Sequence, residues 1–78
     1  MMMAPEHCRA ARGWLGWTQA QLATNAGVGQ STVKDFEAGR RTPTPLNHRT
    51  MQRALEDAGI VFMVDQDEGI VGLNGPTK

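Results

Sequence analysis

The chain has 78 residues, with eight basic and eight acidic side chains and one cysteine, Cys8. That length supports one small domain whose core stabilises it by only roughly 3–5 kcal/mol, so a partner subunit would help. A single cysteine excludes an internal disulfide and a cysteine-based zinc site and suits a reducing cytoplasm; no run approaches the roughly 20 apolar residues of a membrane span, and no secretory leader is visible.

The balanced charge conceals a split. Residues 1–49 hold six basic side chains against three acids, a net +3, and residues 50–78 hold two against five, a net −3. A chain divided this way can present a basic face to a polyanion and turn an acidic face away, although small proteins also show such asymmetry by chance.

Taken in order, the opening Met1-Met2-Met3 reads as an uncertain start and a loose N-terminus. Residues 5–15 read as a first helix, with Pro5 suited to its first turn. Cys8, Ala11, Arg12 and Leu15 fall at i, i+3, i+4 and i+7 and share its inward face. An arginine on that face needs a carboxylate if it is buried, and Glu37 is the candidate; the alternative is a solvated Arg12. Gly13-Trp14-Leu15-Gly16-Trp17 makes the turn into the second helix, and Trp14 has two open placements, the core edge or a ligand's backbone. Thr18 can cap the second helix. Leu22, Ala23 and Ala26 form its apolar stripe, and Gly27 allows the left-handed backbone of a sharp turn. A third helix starts about Gln30, buries Val33, Phe36 and part of Glu37, and stops at Gly39. With Val33 and Phe36 inward, a 100° step per residue turns Ser31, Lys34, Asp35 and Ala38 outward.

Ala38 to Pro45 is a loop stiffened by two prolines. Asn47 is the expected cap of a fourth helix, with Leu46 packing before it as a staple. Met51, Ala54, Leu55 and Ala58 make its buried stripe, and Gly59 ends it. The period then changes. Ile60 to Val64 is continuously apolar, Asp65 to Gly69 is a turn, and Ile70 to Leu73 is a second short run, the pattern of a β-hairpin. An isolated ribbon with two apolar faces is not stable in water. One face can pack on the first or fourth helix, and the other wants a partner, most simply the same hairpin of a second subunit paired across a two-fold axis. Residues 75–78 read as a frayed tail. The DQDEG turn lacks the ligand count of a calcium loop, and His7 and His48 lack a second ligand at helical spacing, so no metal and no cofactor is expected.

Two helices joined by a glycine turn, with the spacing T-Q-x-x-L-A-x-x-x-G-V-x-x-S-T-V-x-x-x-E-x-G-x-R-x-P from Thr18 to Pro43, resemble the phage repressor and Cro family of helix-turn-helix proteins, the Xre-type regulators of bacteria and phages. The resemblance covers roughly residues 6–58. It implies a mainly α, lambda-repressor-like helix-turn-helix domain of four helices, here residues 1–59 with the recognition helix at about 30–38, followed by a C-terminal β-hairpin at 60–74. It implies that Arg12 pairs with Glu37 as a structural clamp and that Trp17 belongs to the core. It places Gln30 at the tip of the recognition helix, so the base-reading set becomes Gln30, Ser31, Lys34 and Asp35. Glutamine can pair with adenine, lysine can donate to guanine, and aspartate can accept from cytosine. Gln19, at the start of the second helix, is used by the family to grip a phosphate, and Thr32 flanks the reading face. Arg40 and Arg41 are either phosphate contacts or solvated loop charges. Gly29 departs from the serine cap common in the family, a tolerable change.

The expected function is therefore a sequence-specific, double-stranded-DNA-binding transcriptional regulator acting as a homodimer, with Val61, Phe62, Met63 and Val64 at the dimer interface. Two alternatives share the same core: an antitoxin whose C-terminal segment binds a toxin, and a protein-binding antagonist that has lost DNA binding. An enzyme is not expected, since the chain holds no nucleophile–base pair, metal-ligand cluster or phosphate loop.

Overall fold

The computed structural model describes residues 2–77. Four helices, α1 (Pro5–Leu15), α2 (Gln19–Ala26), α3 (Gln30–Glu37) and α4 (Pro45–Asp57), precede two strands, β1 (Val61–Asp65) and β2 (Gly69–Asn74). The expected mainly helical fold with a C-terminal hairpin is present.

Each helix boundary has a local cause. In α1, Pro5 occupies the first turn, where its missing N–H costs nothing, and His7 Nδ1 accepts from the Ala4 N–H at 2.9 Å. Thr18 caps α2 reciprocally: its hydroxyl accepts from the Gln21 N–H at 3.0 Å, while Gln21 Oε1 accepts from the Thr18 N–H at 2.7 Å. Gly27 then turns the chain at φ 71°, a conformation that costs glycine little and other residues more. The cap of α4 is Thr44, whose Oγ1 accepts from the Asn47 N–H at 3.2 Å, and not Asn47 as expected. Asn47 sits within the first turn because Pro45 takes the first helical position. Leu46 is no staple either, being 67% exposed.

Leu22, Val33, Met51 and Leu55 are fully buried and join Cys8, Ala11 and Phe36 where the four helices meet. The N-terminal segment completes this core, contrary to a loose start. Met3 is buried; its N–H donates to Gln52 Oε1 at 2.9 Å and its carbonyl lies 2.7 Å from His48 Nε2. Met1 lies outside the described residues.

The antiparallel hairpin pairs Phe62 with Leu73 and Met63 with Gly72, then slips register so that Val64 faces Ile70. Val71 is thereby left without a partner residue, and a bulge of this kind re-aims the side chains beyond it. Phe62, Ile70 and Leu73 pack against the helical core, while Val61, Met63, Val64 and Val71 are exposed. The tail is docked rather than frayed. Trp14 Nε1 donates to the Pro76 carbonyl at 3.0 Å, and the indole leaves no room for a Cβ at Gly75. Trp14, itself exposed, thus lies against the C-terminal segment. Lys78, the last tail residue, lies outside the described residues.

Candidate nucleic-acid interface

Glu37 is the structural centre of the site. It is 3% exposed, at the end of α3. Arg12 approaches it in a two-point grip, Nε to Oε2 and Nη2 to Oε1, both at 2.7 Å, and its Nη1 donates to the Trp17 carbonyl at 2.8 Å. Cys8 donates its thiol hydrogen to Oε2 at 3.1 Å, and Gln19 Nε2 donates to Oε1 at 3.1 Å. The carboxylate therefore fastens α1 and the start of α2 to the end of α3. Arg9 Nη1 adds a bond to the Glu37 carbonyl, satisfying an end group of α3.

Charge follows from this geometry. Burial pushes the Glu37 carboxyl up, but the hydrogen bonds from Arg12, Gln19 and Cys8, together with the Arg12 charge, outweigh it and hold the group below its ordinary value. The bond to Glu37 raises Arg12 further above neutrality against the opposing effect of burial. Burial, and then the hydrogen bond and charge of Glu37, push the Cys8 thiol far up, so it remains a neutral donor.

With α3 anchored from inside, its other face is open. Gln30, Ser31 and Lys34 are exposed, and Thr32 and Asp35 are half-buried beside them. The Asp35 carbonyl accepts from the Arg40 N–H at 2.9 Å and the Arg41 N–H at 3.4 Å, which folds the loop back against the end of α3. Both arginine side chains are exposed there, and neither makes an ion pair among the described residues. The structure thus brings Gln30, Ser31, Lys34 and Asp35 onto one helix and sets Arg40 and Arg41 just past its C-terminal end. Gln19 is different: it lies at the first turn of α2 with its amide engaged on Glu37. Of the hairpin residues, Phe62 turns toward its own core, apart from Val61, Met63 and Val64. Among the described residues no group of three or more His, Cys, Asp or Glu side chains could hold a metal ion.

Sequence reasoning missed three contributors: Cys8 as a donor, Arg9 as the C-terminal partner of α3, and the His48–Met3–Gln52 tether. Cys8 carried a usable signal, since it lies one turn before Arg12 on the same stripe. Arg9 and the tether carried none, because both depend on contacts between segments far apart in the chain.

A family model described as helix-turn-helix matches residues 9–56, more than half of the chain and including α2, the glycine turn and α3. The chain belongs to this Xre-type helix-turn-helix family of DNA-binding transcription regulators. No curated protein matches it. No helix among the described residues is long and apolar enough to cross a membrane.

Proposed function

We propose that the chain recognises a specific operator as a homodimer, laying α3 of each protomer in the major groove of one half-site. Half-sites then lie about one helical turn apart, roughly 34–36 Å. The observation that carries this reading is the division of α3 into two sides: Val33, Phe36 and Glu37 buried, Gln30, Ser31 and Lys34 exposed. Gln30, Ser31, Lys34 and Asp35 contact bases, with the amide, ammonium and carboxylate chemistries suited to adenine, guanine and cytosine edges. Thr32, Arg40 and Arg41 contact phosphates and set the docking position. Gln19 contributes to the same grip, because an amide nitrogen has two N–H donors and Glu37 takes one.

Residues 1–59 form the DNA-binding unit and residues 60–74 the dimerisation element. Val61, Met63 and Val64 make the contact with the second subunit, and Phe62 supports them by fixing the hairpin to the core. On this reading the protein works in the cytoplasm, without a cofactor and without catalysing a reaction, and concentration, cooperativity or a partner protein controls it.

A gel-shift titration on the DNA upstream of the chain's own gene, with unrelated competitor and a salt series, tests the proposal. Binding that survives competitor and weakens steeply with salt supports it. Binding to no duplex better than to competitor, both here and on unbiased sequence pools, would contradict it.

A further inference from the structure

Two exposed surfaces outside the DNA face bear on self-association. The first is a stripe on α4. Leu46, Arg49 and Arg53 recur at i, i+3 and i+7, so they share one side of the helix, and all three are exposed. Arg49 and Arg53 border a shallow groove against Asn25 of α2, with Thr50 between them. Arg49 makes no ion pair among the described residues, and Arg53 reaches Asp57 at 3.9 Å with both side chains largely in solvent.

The second surface is the outward side of the hairpin. Its stem exposes Val61, Met63 and Val71 at 61%, 49% and 54%. Its turn carries Asp65, Asp67 and Glu68, three of the eight acids in the chain. Asp65 Oδ1 accepts from the N–H groups of Asp67 and Glu68, which organises the turn. The Asp67 and Glu68 carboxylates are exposed and have no partner among the described residues.

These surfaces match in kind. One presents a leucine followed by two arginines, the other apolar side chains followed by three acids. The stripe from Leu46 to Arg53 rises about 10 Å along α4, so it can meet only part of a five-residue strand of about 17 Å together with the turn. Within one chain no ion pair among the described residues joins Arg49 or Arg53 to the turn.

We propose that the hairpin of one protomer lies along the α4 stripe of a second copy of this chain, its apolar stem on Leu46 and its acidic turn between Arg49 and Arg53. A two-fold axis makes the contact twice. The proposal rests on the homodimer reading above and specifies what the hairpin meets: helix α4 of the partner, in place of its own copy. It also gives the acids of residues 65–68 a physical use, because they complement Arg49 and Arg53.

Charge-swap variants measured by sedimentation equilibrium test it. Arg49→Glu with Arg53→Glu makes both contacts acid against acid; Asp67→Lys with Glu68→Lys makes both base against base. Each double variant alone is expected to dimerise at least about tenfold more weakly than the parent at low salt. Mixed one to one, they restore complementarity at both contacts and recover the parent affinity as heterodimers. Thermal unfolding of each variant at a concentration where it is monomeric verifies that the fold is kept. Double variants that dimerise like the parent, or a mixture that fails to recover, would overturn the docking. A Met63→Asp variant separates the two readings. If it dissociates the dimer while the charge swaps do nothing, the homodimer stands and this contact does not. A parent chain that is monomeric under all conditions refutes both.

Discussion

Glu37 shows how much of this fold depends on one side chain. Four donors converge on a carboxylate that is 3% exposed, and two of them come from Arg12. Replacing Arg12 by methionine leaves a buried charge without its cation. The expected loss of stability, read from urea unfolding, is about 3 kcal/mol. Because the Glu37 carboxyl is held low in the folded chain, its contribution is fully present above the unfolded carboxylate value, roughly pH 4.3, and is lost as pH falls through the lower folded value. A Glu37→Gln variant should lose stability at neutral pH and show a flatter acid-unfolding curve; an unchanged curve would mean that Glu37 is not the sensitive group. Cys8 is expected to resist iodoacetamide until the chain unfolds, since burial keeps its thiol neutral, and mass spectrometry across a urea series reads this directly. On the opposite side of α3, Lys34→Ala should weaken operator binding by about 1–3 kcal/mol with no change in thermal unfolding. The Arg12 and Glu37 pairing was legible because helical spacing put an arginine on an inward stripe and the motif placed a glutamate at the matching point. The thiol donor was legible in its place, one turn before Arg12 on the same stripe, but not in its type, since cysteine there reads as a small apolar residue.

At the scale of elements, caps and turns were readable where one residue type had one plausible use. Thr18 with Gln21 and the Gly27 turn are of this kind. The start of α4 offered two good capping residues, Thr44 and Asn47, and the discriminating signal was Pro45, which favours the first helical position and so makes its predecessor the cap. Thr44→Ala is therefore expected to cost about 1 kcal/mol in thermal or urea unfolding, and Asn47→Ala much less. The hairpin was legible as a hairpin, but its two apolar faces were not distinguishable by sequence. Docking of the hairpin on the helices sets Phe62 and Leu73 inward, and a register slip beyond Met63, a property of the strand pairing that is invisible in either strand alone, keeps Ile70 on that same side. The consequence is a contrast: Phe62→Ser should destabilise the monomeric fold, whereas Met63→Ser should leave it intact and change only self-association. Equal effects on stability would contradict the assignment of faces.

For the whole molecule, segments near both ends of the described chain are held in place: Met3 is part of the core, and the segment around Pro76 docks on Trp14 outside it. Met3 enters the core between His48 and Gln52, and the tail crosses Trp14. Neither docking carries a periodic signal, which is why sequence reading treated both ends as frayed. In a chain this small, one such side chain is a large fraction of the total. Met3→Ala is expected to remove roughly 2–4 kcal/mol, measured by urea unfolding, and to approach the limit of stability for the isolated subunit. The same smallness would make the proposed dimer and DNA binding mutually supportive, because each partner that binds only the folded form stabilises it by mass action. The central claim is that a dimer reads DNA through the open face of α3. Selection of binding sites from a randomised duplex pool tests it most directly. The expected result is an enriched inverted repeat with half-site centres one helical turn apart, whose sequence changes when Lys34 is replaced. A pool that stays random through repeated rounds, or a selected site indifferent to Gln30, Ser31, Lys34 and Asp35, would contradict it.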